Sequence, residues 1–137
     1  MILTKRWNDP RDNEDGYRLL VCRYRPRGVR REGEPWDGWL PQLGPSKELH
    51  AAVYGKGSAP IPWQEYAARY LAEMASQSYF IRAYAERFAR GETLTLLCSS
   101  ACVDPARCHR TLLRGLMLDA RQPVAAVLPP PPRVRRR

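Results

Sequence analysis

The sequence predicts a single-domain α/β sandwich with a mostly parallel sheet flanked by helices. Two apolar, β-rich runs, Tyr17-Arg-Leu-Leu-Val-Cys-Arg-Tyr-Arg25 and Leu94-Thr-Leu-Leu-Cys98, stand far apart in the chain. Between and after them lie stretches with apolar residues three and four apart, the period of a helix with one buried face. The run at 94–98 is apolar throughout, as expected of a central strand covered on both faces. Alternation of the two patterns favours α/β over a bundle or an all-β sandwich.

The elements follow in order. Residues 1–4 make a short first strand, and Asn8 to Gly16 is a polar, turn-rich loop. The second strand spans 17–25 and is stopped by Pro26, with Gly28 permitting a sharp turn. Residues 29–44 are expected to be irregular, with Trp36, Trp39 and Leu40 covering part of the core. Ser46 is a good N-cap for a short helix to about Val53. Pro62 suits a first helical position, and Trp63, Tyr66, Tyr70 and Met74 then fall on one face. That stripe reads as core packing rather than a stacking surface. Glu65–Arg69 and Arg69–Glu73 are spaced for exposed ion pairs. A break at Ser76-Gln-Ser78 precedes a second helix with Ile81, Tyr84 and Phe88 inward. Asp104-Pro105 opens the last helix, as N-cap and N1, to about Asp119. Residues 124–128 supply a final strand, so the domain is expected over 1–128, followed by a Pro/Arg-rich tail at 129–137.

Composition narrows the function classes. Hydrophobic residues make up 44% and charged residues 27% of 137, as in ordinary globular domains. No apolar run approaches the roughly 20 residues that span a bilayer. The N-terminus lacks the features of a secretion signal, so a cytoplasmic location is expected by default. The net charge is +9, carried by 20 arginines and only three lysines. Four arginines lie in the tail, behind Pro129–Pro132, and six lie between Arg18 and Arg31 with no intervening acid. Either cluster could contact nucleic acid non-specifically, in a salt-sensitive way.

The most informative stretch is Cys98-Ser-Ser-Ala-Cys102-Val-Asp-Pro-Ala-Arg-Cys108-His109-Arg110. It begins where a strand ends, the usual place for ligands in an open α/β sheet. Arg23, Arg25 and Arg27 would share that rim if the two long strands run side by side and parallel. Free backbone N–H groups at Ala106 and Arg107 would favour an anion there. Helical geometry turns His109 inward with Leu112, Leu113, Leu116 and Met117, and leaves Arg110 on the flank. Cys108, placed in the first helical turn, would have its thiolate favoured by the helix dipole. The first reading is therefore an anion-binding pocket. Arg23, Arg27, Arg110 and Cys98 contact a small anionic ligand, and Cys108 with His109 form a reactive pair. Cys98 on its own also suits a small buried hydrophobe. The alternatives are a non-enzymatic nucleic-acid-associated protein and a cysteine-ligated metal protein. The spacing Cys-x3-Cys-x5-Cys lacks a Cys-x2-Cys knuckle, and adjacent Cys108 and His109 would project about 100° apart on a helix, so no metal ligand is assigned. The sequence leaves the cofactor unknown.

Several short motifs together resemble the YeaO-like family of bacterial domains of unknown function. They are Lys5-Arg6 with Asp9-Pro10, Asp15-Gly16-Tyr17-Arg18-Leu-Leu-Val, Arg23, Pro26-Arg27-Gly28 and Trp39-Leu40. Pro45-Ser46-x-Glu48-Leu49, Tyr66-x2-Arg69-Tyr70-x2-Glu73 and Leu94-Thr-Leu-Leu complete the set. Cys108-His109-Arg110 resembles a Cys-His-Arg found in a related branch. This chain departs from the family in having Cys22 where an Asp is usual, followed by Tyr24-Arg25 in place of a hydrophobic-Trp pair. It also has Ser99-Ser100 where the related branch tends to carry a Glu. The resemblance implies an α/β fold with a shared pocket, and it implies no particular reaction.

Overall fold

The computed structural model describes residues 1–121. The expected strand at 124–128 and the tail lie outside the described residues. Among the described residues the sheet has four strands: β1 (Ile2–Arg6), β2 (Tyr17–Leu20), β3 (Gly38–Trp39) and β4 (Leu94–Cys98). Their order is β1-β4-β2-β3 and every pairing is parallel. Each residue of β4 is buried, because the strand lies between β1 and β2. Its register sets Cys98 opposite Arg6 and Leu97 opposite Leu20. All strands thus end on the edge that carries the cysteine-rich loop.

β2 is shorter than the pattern suggests. The Val21 N–H still bonds the Leu97 carbonyl at 3.0 Å, after which the chain leaves the ladder. There the turn Pro41–Leu43 and Gly44 press against it; a Cβ on Gly44 would lie 2.5 Å from the Arg23 nitrogen. β3 falls in the stretch expected to be irregular. Two residues are too few to show a period of two, and only the bond from Leu40 N–H to the Leu20 carbonyl and its neighbours make them a strand.

Among the described residues four α-helices cover the sheet: α1 (Lys47–Val53), α2 (Trp63–Met74), α3 (Ser78–Arg87) and α4 (His109–Arg121). Leu49, Tyr66, Tyr70, Met74, Ile81, Leu113 and Met117 from these helices share one core with Leu19, Val21, Leu94 and Leu96. A second cluster gathers Leu20, Leu97, Trp36, Cys22, Cys98 and Cys108 under Trp7 and Val29. Trp7 meets Trp36 edge-on at 6.2 Å. A helix is therefore not what closes this second cluster; long, irregular segments do.

Ser46 caps α1 as expected, its hydroxyl accepting from Leu49 N–H at 3.1 Å. The same residue is held by Glu73 of α2, which accepts from Ser46 N–H at 2.8 Å and from its hydroxyl. Glu73 is thereby committed, and the expected Arg69–Glu73 pair is absent, whereas Glu65–Arg69 forms at 3.7 Å. Pro62 occupies the N-cap of α2 rather than its first turn. The last helix also starts differently. Asp104 caps only a 3-10 turn, Pro105–Arg107; Cys108 is extended (φ −140°, ψ 141°) and α4 begins at His109.

The Arg18–Arg31 stretch is not one basic surface. Arg18 is fully buried, 2.9 Å from Asp15 and bonded to the carbonyls of Trp7 and Asp9. Lys5 reaches the other oxygen of Asp15 at 2.7 Å. Arg25 pairs with Glu34 at 3.3 Å. The acidic run before β2 is thus partly structural: Asp15 neutralises a buried arginine, and Asp9 pairs with Arg6 at 3.1 Å.

Candidate metal centre and cavity

Three chain segments bring the cysteines together. Cys98 closes β4, Cys102 sits in the loop after it, and Cys108 precedes α4. Their sulfurs all lie within 4.8 Å of one another. The Cys98 Sγ is 3.3 Å from that of Cys102 and 3.3 Å from that of Cys108. Cys98 and Cys108 are buried and Cys102 is half-buried, so the group opens through Cys102. These thiols share protons. The thiols of Cys108 and Cys98 hold Cys102 well below the ordinary thiol range, and Cys98 and Cys108 are themselves pushed up. The expectation of a helix-lowered Cys108 is not met, since Cys108 stands outside the helix and is buried among the other two sulfurs.

His109 points inward. Its Nε2 lies 2.8 Å from the Val21 carbonyl, an acceptor only, so Nε2 carries the proton. Nδ1 then presents its lone pair to the Cys98 Sγ at 3.7 Å. Burial lowers the pKa of this imidazole, which keeps it neutral. Because Cys108 is extended, the 100° helical divergence does not apply, and Cys108 and His109 flank the same sulfur. The three sulfurs alone form the group with mutual separations within 4.8 Å, and His109 Nδ1 stands beside Cys98 outside that group. Tyr70, whose hydroxyl donates to the Leu43 carbonyl at 2.7 Å, stands 5.4 Å from the imidazole and fixes its other side.

Arg110 is buried, with Nε and Nη1 lacking a hydrogen-bond partner among the described residues. Its charge helps to hold down Asp9, whose carboxyl is lowered first by the Arg6 backbone N–H. It is also felt at Cys102. Nor are the N–H groups at 106 and 107 free for an anion: Asp104 takes both, at 3.0 Å through its side chain and 3.1 Å through its carbonyl.

Above the cysteines lies a cavity of about 880 Å³. Arg23, Arg25, Arg27, Cys98 and Cys108 line it, and Arg110 does not. Sequence reasoning missed its far wall: His50, Tyr54, Lys56, Trp63 and Tyr66, from α1, α2 and the loop between them. Nothing local marks those residues, because only packing brings them over the strand ends. Cys102 was visible in the motif, but spacing did not distinguish its role.

A family model described as "Active DUF488-N3 subclade" matches residues 2–121. The chain belongs to the DUF488 family. The uncharacterized protein YeaO of Escherichia coli (strain K12) is 35% identical over 99 residues, covering 72% of this chain and 83% of that protein. The uncharacterized proteins Rv3073c of Mycobacterium tuberculosis (strain ATCC 25618 / H37Rv) and Mb3100c of Mycobacterium bovis (strain ATCC BAA-935 / AF2122/97) are 35% identical over 63 residues. Those alignments cover 46% of this chain and 51% of each relative. No solved structure matches the chain at a significant level. Several motifs behind the DUF488 resemblance prove structural here: Lys5, Asp15 and Arg18 form the buried ion cluster, and Ser46 with Glu73 forms the link between α1 and α2. Among the described residues no helix is long and apolar enough to cross a membrane.

Proposed function

We propose that this DUF488 domain is a zinc-binding protein whose ion is held by Cys98, Cys102 and Cys108, with His109 Nδ1, which stands beside Cys98 outside that group, drawn in as the fourth ligand. The observation that carries the reading is the convergence of three sulfurs within 4.8 Å. Zn²⁺ favours four-coordinate thiolate and imidazole sites, Cys3His among them, with Zn–S near 2.3 Å. Tetrahedral thiolates at that radius stand roughly 3.8 Å apart, so the two 3.3 Å separations from Cys98 need only widen by about half an ångström. The Nε2–H···O=C bond to Val21 is the kind of outer contact that orients a ligating histidine. Three thiolates around Zn²⁺ leave one net negative charge, and the unpartnered, buried Arg110 supplies the opposite charge.

Metal analysis of the purified protein, with Co²⁺ substitution, tests this. About one ion per chain and a tetrahedral, thiolate-rich Co²⁺ spectrum are expected. Cys98→Ser, Cys102→Ser and Cys108→Ser should each abolish stoichiometric binding. His109→Gln should weaken it about 10–100-fold. Wild-type protein that takes up neither Zn²⁺ nor Co²⁺ sinks the reading.

A second reading is favoured by the exposure of Cys102 into a cavity lined by Arg23 and Arg27. It is the anion pocket with a reactive thiol, and the accessible sulfur would be Cys102. Metal-free protein alkylated selectively at Cys102, and faster by anionic iodoacetate than by neutral iodoacetamide, would support it; alkylation that shows no preference for the anionic reagent would speak against it.

A further inference from the structure

The cavity above the cysteines has two unlike walls, and together they describe a ligand. One wall is basic. Arg23 and Arg27 line it, Lys56 of the far wall adds a third cation to the cavity, and none of the three has an ion-pair partner among the described residues. Among the lining residues the only carboxylate is Asp104, whose side chain is bonded to Ala106 N–H. The other wall is aromatic. Trp63 and Tyr66 stack at 5.3 Å, with planes 27° apart. Tyr54 is 52% exposed although it packs against His50 at 4.7 Å, so one ring face is left to solvent. An exposed Tyr54 beside half-buried Trp63 and buried Tyr66, in a cavity also lined by cations without ion-pair partners among the described residues, suits a planar ring joined to an anion. A volume of about 880 Å³ is ample for such a molecule.

We propose that this cavity binds a nucleotide unit, with the base against Tyr54, Trp63 and Tyr66 and the phosphate held by Arg23, Arg27 and Lys56. The proposal stands on the cavity walls and does not depend on zinc at its floor. An inorganic anion alone would leave the aromatic wall unused, and a neutral aromatic would leave three cations unused. The unit can arrive free or as part of a single strand, since both present a base and a phosphate to one site.

Calorimetric titration of the full chain distinguishes these cases. Nucleoside monophosphates, the matching nucleosides, inorganic phosphate and a short single-stranded oligonucleotide serve as probes. The monophosphate should bind at least about tenfold more tightly than either its nucleoside or phosphate, because each lacks one set of contacts. Arg27→Ala and Tyr54→Ala, both at exposed positions, should each weaken binding about tenfold. Arg90→Ala, an exposed position outside the cavity, should leave it unchanged. A still tighter oligonucleotide, with the same variant losses, identifies the strand as the source. No binding of any nucleotide at millimolar concentration overturns the proposal. So does equal binding of phosphate and monophosphate, or an equal loss in Arg90→Ala. Metal content is read separately on the same samples, so failure of the zinc reading and failure of this one remain distinct.

Discussion

Asp15 shows how one residue can govern both stability and its pH dependence. Burial pushes its carboxyl up, but Lys5, the Asp12 N–H and Arg18 outweigh that, and the net shift is downward from 3.8. A depressed folded-state pKa contributes stability that is complete above the unfolded value and is lost as pH falls through the folded one. Thermal unfolding should therefore show a loss below about pH 4 that Asp15→Asn lacks. At neutral pH the same variant leaves Arg18 buried and unpaired, and should cost about 3–5 kcal/mol in denaturant titration. A cost below 1 kcal/mol would mean that water reaches Arg18. Gly44 is the other sensitive residue. Its φ is ordinary, −81°, so Gly44→Ala acts through space alone: the new Cβ meets the backbone of Cys22 and Arg23. The expected result is a loss of about 1–3 kcal/mol; under the zinc proposal the variant should also hold the ion less tightly, because Val21, whose carbonyl bonds His109, adjoins the displaced segment.

Among the elements, α1 and α2 depend on each other through Glu73. Each helix is short, and an isolated helix of fewer than about 12 residues is marginal in water. Glu73 accepts from the residue that caps α1, and Tyr70 of α2 bonds the Leu43 carbonyl just before it. Glu73→Ala should cost about 1–2 kcal/mol. Because α1 and α2 carry the aromatic wall, hydrogen exchange in α1 should quicken more than in α4. Uniform quickening would show that α1 does not open separately. At the other end of the site, α4 starts four residues later than the strong Asp-Pro signal at 104–105 indicates. Asp104 and Pro105 do initiate a turn, but thiol burial draws Cys108 into an extended conformation and restarts the helix. Local capping rules report where a turn can begin; whether it propagates depends on what the next side chain packs against.

At the scale of the whole molecule, the basic charge separates into distinct roles. Arg18 and Arg25 neutralise acids within the fold, Arg23 and Arg27 line the cavity, and the tail carries four arginines of its own. Deleting residues 129–137 should lower non-specific affinity for duplex DNA and flatten its salt dependence by a slope of up to about 3–4. Mononucleotide binding in the cavity should be unaffected. An unchanged salt slope would exclude the tail from polyanion contact.

The pattern of apolar runs and helical periods was enough to determine an α/β fold with a parallel sheet, because burial of whole strands and of helix faces is written into residue spacing. β4, the cap at Ser46 and the inward face of α4 were legible for the same reason. The cysteine-rich turn was also legible as the place of interest. Tertiary structure alone decided which of its side chains meet. Helical spacing seemed to drive Cys108 and His109 apart, yet the extended backbone at Cys108 brings both to Cys98. No local pattern connects Tyr54, Trp63 or Tyr66 to the strand ends they cover, since only the packing of α1 and α2 against the sheet joins them. Sequence records what each segment can form by itself; a site assembled from several segments exists only once they have packed.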